Sequence, residues 1–177
     1  KFVNEEKVLL ARDAHNFEIL NNTICLNQPL RVGYFGSLTK QKGLGIIKKI
    51  IRHNKQLHFY VYSKDQDVLE ADHSNLIEYK YIEHSQVQKK IMNVDVLLLT
   101  VDYQGSKDLI SRYTSPIKLY EYLSTGKPII CSNSKVLKED VNSELVYFFE
   151  NDLETFTNQV NSILEVEPCP VKIKLRK

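Results

Sequence analysis

Short β-rich runs separated by helix-length stretches recur along most of this chain, and that alternation leaves few folds open. Arg31 to Phe35 (RVGYF), Leu57 to Tyr62, Leu76 to Tyr81, Val94 to Thr100 (VDVLLLT), Pro128 to Ser132 and Leu145 to Phe149 have strand composition. Between them lie helix candidates at Gln41 to Asn54, Ser85 to Asn93, Pro116 to Ser124, Lys135 to Val141 and Leu153 to Glu165. Strands alternating with helices build βαβ units, so the expected fold is α/β: a Rossmann-like open parallel sheet of about six strands with helices on both faces. VDVLLLT is almost continuously apolar, as a strand covered on both faces should be.

Residues 1–30 fall outside this pattern. They hold one strand candidate, Lys7 to Ala11, and an Asn-rich passage suited to a connection from an upstream domain. Residues 31–165 form the expected domain, and 166–177, with Pro168 and Pro170, read as a tail. The chain opens at Lys1 and its only methionine is Met92, so we expect a fragment without its N-terminal part. With 177 residues, 42% of them apolar, one core is affordable.

The net charge of +2 argues against a nucleic-acid surface built on bulk charge, so any anion the chain binds is expected to be small. Cys25, Cys131 and Cys169 show no metal or CxxC spacing, and an odd number suits a reducing compartment, so a cytoplasmic setting is expected. No apolar run approaches the roughly 20 residues that cross a bilayer.

The candidate chemistry sits in two loop-to-helix junctions. Ser115 suits an N-cap, Pro116 the first helical position, and Gly126-Lys127-Pro128 a stop. Within that helix Lys118 lies near the start and Glu121 a turn later, the reverse of what the macrodipole favours. A helix start with free amides and a lysine attracts an anion, and a carboxylate one turn in accepts from hydroxyls, so phosphate plus sugar fits both. The second junction is Gly36-Ser37-Leu38-Thr39-Lys40-Gln41-Lys42-Gly43. Here Gly36 permits close backbone approach, Thr39 is a cap candidate, and Lys40 and Lys42 again crowd a positive helix end. Two such junctions in one sheet favour a shared polyanion such as a diphosphate. GxGxxG, the P-loop pattern and GxSxG are all absent, and the five histidines have no ligand spacing.

Taken together, RVGYFGSLTKQKG, VDVLLLT and SPIKLYEYLSTGKPIICS resemble the C-terminal, nucleotide-sugar-binding domain of GT-B glycosyltransferases of the group 1, retaining type. The likeness runs from about Lys7 to Glu165, and the last motif is its specific part. It implies Gly36 as the loop glycine, Lys42 as the phosphate lysine and Glu121 as the ribose ligand, with the donor-binding stretch Ser115-Pro116-Ile117 facing the diphosphate through the backbone N–H groups on either side of Pro116, which has none. Lys42 and Lys118 would stabilise the leaving group and Ser37 add a hydroxyl, while Tyr81, beside Ile82, would lie against the base. Two positions depart from the family pattern: Tyr113 replaces a first glutamate and Ser37 an arginine, leaving Lys118 or Arg112 as the replacement charge.

The implied function is the donor half of a transferase that moves a sugar from a UDP or GDP sugar to an acceptor hydroxyl in surface polysaccharide or glycolipid synthesis. The implied reaction needs no cofactor or metal. Acceptor recognition would belong to an N-terminal domain, so the chain alone is expected to be inactive, and peripheral membrane association would concern the complete protein. Alternatives on the same fold are a non-catalytic nucleotide-binding or docking module and, behind it, a nucleotide-sugar epimerase using Asp102 or Asp108.

Overall fold

A computed structural model describes residues 26–69, 73–102, 117–134, 137–138 and 144–165. The expected strand at Lys7 to Ala11, most of the helix at Lys135 to Val141, and the tail lie outside these residues. Six strands form one sheet: β1 (Arg31–Phe35), β2 (His58–Tyr62), β3 (Leu76–Lys80), β4 (Val96–Leu99), β5 (Ile129–Ser132) and β6 (Val146–Phe149). Their order is β3-β2-β1-β4-β5-β6, and every pairing is parallel. The described helices are α1 (Leu44–His53), α2 (His84–Ile91), α3 (Ile117–Leu123) and α4 (Leu153–Leu164).

Two cores follow from the period of two along the strands. Val32, Tyr34, Phe59, Val61, Val96, Leu98 and Ile130 point to one face, where Ile47, Ile50 and Ile51 of α1 meet Phe156, Val160 and Ile163 of α4. Phe35, Tyr62, Leu97, Ile129 and Cys131 point to the other, against Val87 and Ile91 of α2 and Leu119, Tyr122 and Leu123 of α3. Helices therefore cover both faces, which is why the middle strands read as unbroken apolar runs. Cys131 is wholly buried in this second core, and burial pushes its thiol up to about 12, as suits a packing group.

Strand order reverses between β1 and β4. Beyond their carboxyl ends lies the crevice where such sheets bind ligands. The opposite edge is held by a polar knot: Asp95, 3% exposed, accepts from the Arg31 backbone N–H (2.9 Å), Arg31 Nε (3.2 Å), Nη2 (3.1 Å) and Asn27 Nδ2 (2.6 Å). α3 stops where glycine allows it, with Gly126 at φ 69° donating to Leu123 O at 3.1 Å.

Near the β3 edge, Glu78 accepts from Tyr62 Oη and Lys80, and from Lys90 Nζ at 3.1 and 3.2 Å. Burial pushes its carboxyl up, but the bonds from Lys80, Tyr62 and Lys90 outweigh it and bring it to about 2, against an ordinary 4.5. A depressed folded value means stability that is complete above pH 4.5 and drains away as pH falls towards 2. The stability difference between wild type and Glu78→Gln, from urea unfolding, should thus be constant above pH 5 or so and shrink steadily below it. A difference independent of pH would refute this assignment.

Candidate functional site

The loop between β1 and α1 is fastened on both sides of the strand-order reversal. Its first half is tied to β2 and the segment after it: Gly36 N–H donates to Tyr62 O (3.0 Å) and Leu38 N–H to Asp65 Oδ2 (2.6 Å). Tyr34, buried beneath, donates its hydroxyl to Ser37 O at 2.6 Å. The second half is tied to the end of β4, where Thr100 Oγ1 donates to Lys42 O (2.5 Å) and Asp102 N–H to Gln41 O (2.9 Å). A backbone clamped in this way offers a preformed surface rather than a mobile loop.

The start of α1 corrects one expectation. A helix from Gln41 with a Thr39 cap does not form; residues Thr39 to Gly43 make a turn, and α1 begins at Leu44. Thr39 O accepts from both Lys42 and Leu44 N–H at 3.1 Å, and Thr39 Oγ1 accepts from Lys42 N–H at 3.3 Å, so this side chain closes the turn. Gly43 turns the chain at φ 76°, and a side chain there would meet Thr100 Cβ at 3.0 Å. The lysines of this loop, Lys40 and Lys42, are exposed, as is Ser37.

On the other side of the crevice stands α3. Tyr122, fully buried, places its hydroxyl on the end of β1: Phe35 N–H donates to it at 3.2 Å, and it faces Phe35 O at 3.4 Å. Helical side chains lean towards the N-terminus of their helix, which here is the carboxyl edge of the sheet. Glu121, the preceding residue, leans the same way. It is 7% exposed, and Oε2 lies 3.2 Å from Lys118 Nζ. That contact is an ion pair without hydrogen-bond alignment, and Oε2 has no hydrogen-bond donor among the described residues. Buried carboxylate oxygens are normally satisfied, so this one has capacity for a further donor.

Lys118 and Glu121 are thus partners of each other, i to i+3, and not two independent oddities of helix charge. A ligand at either one must share or replace that pair. Ile117, expected at the amide-rich helix start, is the first residue of α3 and 41% exposed. Ser115, Pro116, Arg112, Tyr113 and Asp108 lie outside the described residues.

Tyr81 and Ile82, expected together at a base site, are separated by the structure. Ile82 belongs to the core, whereas Tyr81 is 44% exposed with Lys64 Nζ 5.6 Å from its ring centre. Two groups escaped sequence reasoning. Tyr122 was hidden because its partner lies 87 residues away. A second tie at the carboxyl edge joins Ser132 Oγ, which accepts from Val101 N–H (2.9 Å) and donates to Asn151 Oδ1 (2.5 Å), to Asn151 Nδ2, which donates to Val101 O (2.8 Å). A serine ending an apolar strand was its one visible signal. Among the described residues no three His, Cys, Asp or Glu side chains group so as to hold a metal ion, and no helix is long and apolar enough to cross a membrane.

No protein-family model and no curated protein matches the chain.

Proposed function

We propose that this chain is the donor-binding half of a glycosyltransferase acting on a nucleoside diphosphate sugar. What carries the proposal is Glu121, a buried carboxylate with one oxygen unserved by any described hydrogen-bond donor, paired with Lys118 one turn nearer the start of its helix; in such sheets that end of a helix borders the site where ligands bind. A ribose hydroxyl is the donor that such an acceptor suits. Across the crevice, the anchored loop from Gly36 to Gly43 presents backbone and two exposed lysines, which suits a diphosphate.

In the proposed reaction the bond between the anomeric carbon and the diphosphate oxygen breaks, and its electron pair leaves with the diphosphate. An acceptor hydroxyl oxygen bonds to that carbon and gives up its proton to a base outside this chain. Lys42, and Lys118 once Glu121 has turned to the ribose, would balance the charge growing on the leaving diphosphate. Ser37 would add a hydroxyl donor from the loop.

Calorimetric titration of UDP and GDP into wild type and Glu121→Ala provides the test. One nucleotide should bind wild type, and the variant should bind it about ten- to a hundredfold more weakly, the loss expected for a hydrogen bond to a charged group. Because the contact Oε2 loses is one ion pair to a partly exposed lysine, the variant should melt close to wild type. Unchanged affinity would remove Glu121 from the site. Failure of wild type to bind either nucleotide would overturn the donor-site proposal in favour of a docking module.

A further inference from the structure

The loop between β1 and α1 is gripped by an acid, where a site for an anion gains nothing from one. Its other ties are neutral: Gly36 N–H, the Tyr34 and Thr100 hydroxyls and Asp102 N–H all donate to backbone carbonyls. Leu38 N–H alone among these donates to a carboxylate, Asp65 Oδ2, at 2.6 Å. The Leu38 side chain is 3% exposed in the core, so packing holds its side chain and Asp65 its backbone.

Asp65 is itself fixed, chiefly through its main chain. Its N–H donates to Ser63 Oγ at 3.1 Å, its carbonyl accepts from Tyr79 Oη, and the Ser63 hydroxyl also donates to Oδ2 at 3.4 Å. Ser63 is buried, and its N–H donates to Lys80 O at the end of β3 at 3.0 Å. The carboxylate is therefore aimed by the segment after β2 and does not depend on the loop it grips. A bond from an amide to a carboxylate is stronger than the neutral ones around it, and it withdraws the Leu38 amide from any anionic ligand. Among the described residues none accepts from the N–H groups of Ser37 or Thr39, on either side of Leu38. Asp65 thus occupies the middle amide of three and leaves its neighbours unused.

We infer that Asp65 is a positioning residue for the diphosphate: it fixes the middle of the loop so that the flanking amides meet the ligand already in place. The inference rests on the donor-site proposal and deepens it, because it makes loop geometry a determinant of affinity in its own right. A loop that visits its binding conformation only part of the time binds more weakly by that fraction. Charge alone predicts the opposite sign, since removing an acid beside a diphosphate should tighten binding.

Calorimetric titration of UDP and GDP into wild type and three variants is the test. Asp65→Ala should bind the nucleotide about tenfold more weakly, although it has lost a negative charge. Asp65→Asn loses the same charge but keeps an oxygen to accept from Leu38 N–H, and should stay within about threefold of wild type. Ser63→Ala keeps the charge and loosens Asp65, so a loss of about fivefold is expected; this variant decides the matter if Asp65→Ala does not fold. Tighter binding by Asp65→Ala would overturn the inference and make Asp65 a competitor for the Leu38 amide. Unchanged affinity in Asp65→Ala or Ser63→Ala, or a loss in Asp65→Asn as large as in Asp65→Ala, would overturn it too. Each of these outcomes leaves the donor-site proposal standing. If wild type binds neither nucleotide, that proposal fails and the inference falls with it.

Discussion

Asp95→Ala should cost about 3 kcal/mol of folding free energy and lower the melting temperature by about 6 to 12 °C. Four hydrogen bonds from two residues converge on this carboxylate, and its side chain is almost wholly buried. Removing it strands the Arg31 backbone N–H at the start of β1 and leaves the guanidinium without its partner in a half-buried position. Nearby, burial lowers the Lys127 ammonium while Asp95 raises it, and Lys127 Nζ donates to Val94 O at 2.6 Å. That lysine too would lose a compensating charge. The full penalty of a deeply buried pair is not expected, because about a third of the Arg31 side chain meets water. Asp95→Asn should fall between wild type and alanine, since the amide keeps one acceptor oxygen. Urea unfolding of both variants is the measurement, and a loss under about 1 kcal/mol for alanine would reduce the knot to a surface ion pair.

Asp95 also shows what could be read from the chain and what could not. VDVLLLT was legible as a buried strand because six of its seven residues suit that role regardless of their partners. Its one acid was unexplained until the fold brought Arg31 beside it from 64 positions away. The other strands, and the stop of α3 at Gly126, were legible for the same reason: apolar period and glycine conformation act locally. The start of α1 was misread because a turn closed by Thr39 and a helix capped by Thr39 share the same letters. At the candidate site, the spacing of Lys118 and Glu121 already allowed an i to i+3 pair, yet each charge was assigned a separate role. The anchoring of α3 by Tyr122 is tertiary and had no local signature.

Two glycines three residues apart should respond in opposite ways to the same substitution. Gly33 lies inside β1, opposite Leu97 of β4. A methyl group there would come within 2.7 Å of Val94 Cγ2 and 2.9 Å of Phe35 Cε2, both on side chains locked in the core. Gly33→Ala should therefore destabilise by about 1 to 3 kcal/mol through overpacking. At Gly36 the atoms nearest an added methyl would be Tyr34 Oη at 3.6 Å and the Tyr34 ring at 3.8 Å and beyond, ordinary van der Waals contacts, and φ there is not in the left-handed region. Gly36→Ala should leave unfolding within about 0.5 kcal/mol of wild type. Neither a positive φ nor a close neighbour accounts for glycine at this position, and the donor-site proposal supplies a reason that can be tested. If a diphosphate lies against that backbone, the added methyl should weaken nucleotide binding about tenfold or more, equivalent to about 1.4 kcal/mol. Paired unfolding and titration experiments separate the effects: Gly33→Ala acts on stability, Gly36→Ala on affinity. Normal affinity with Gly36→Ala would move the ligand away from the loop, whatever the behaviour of Glu121.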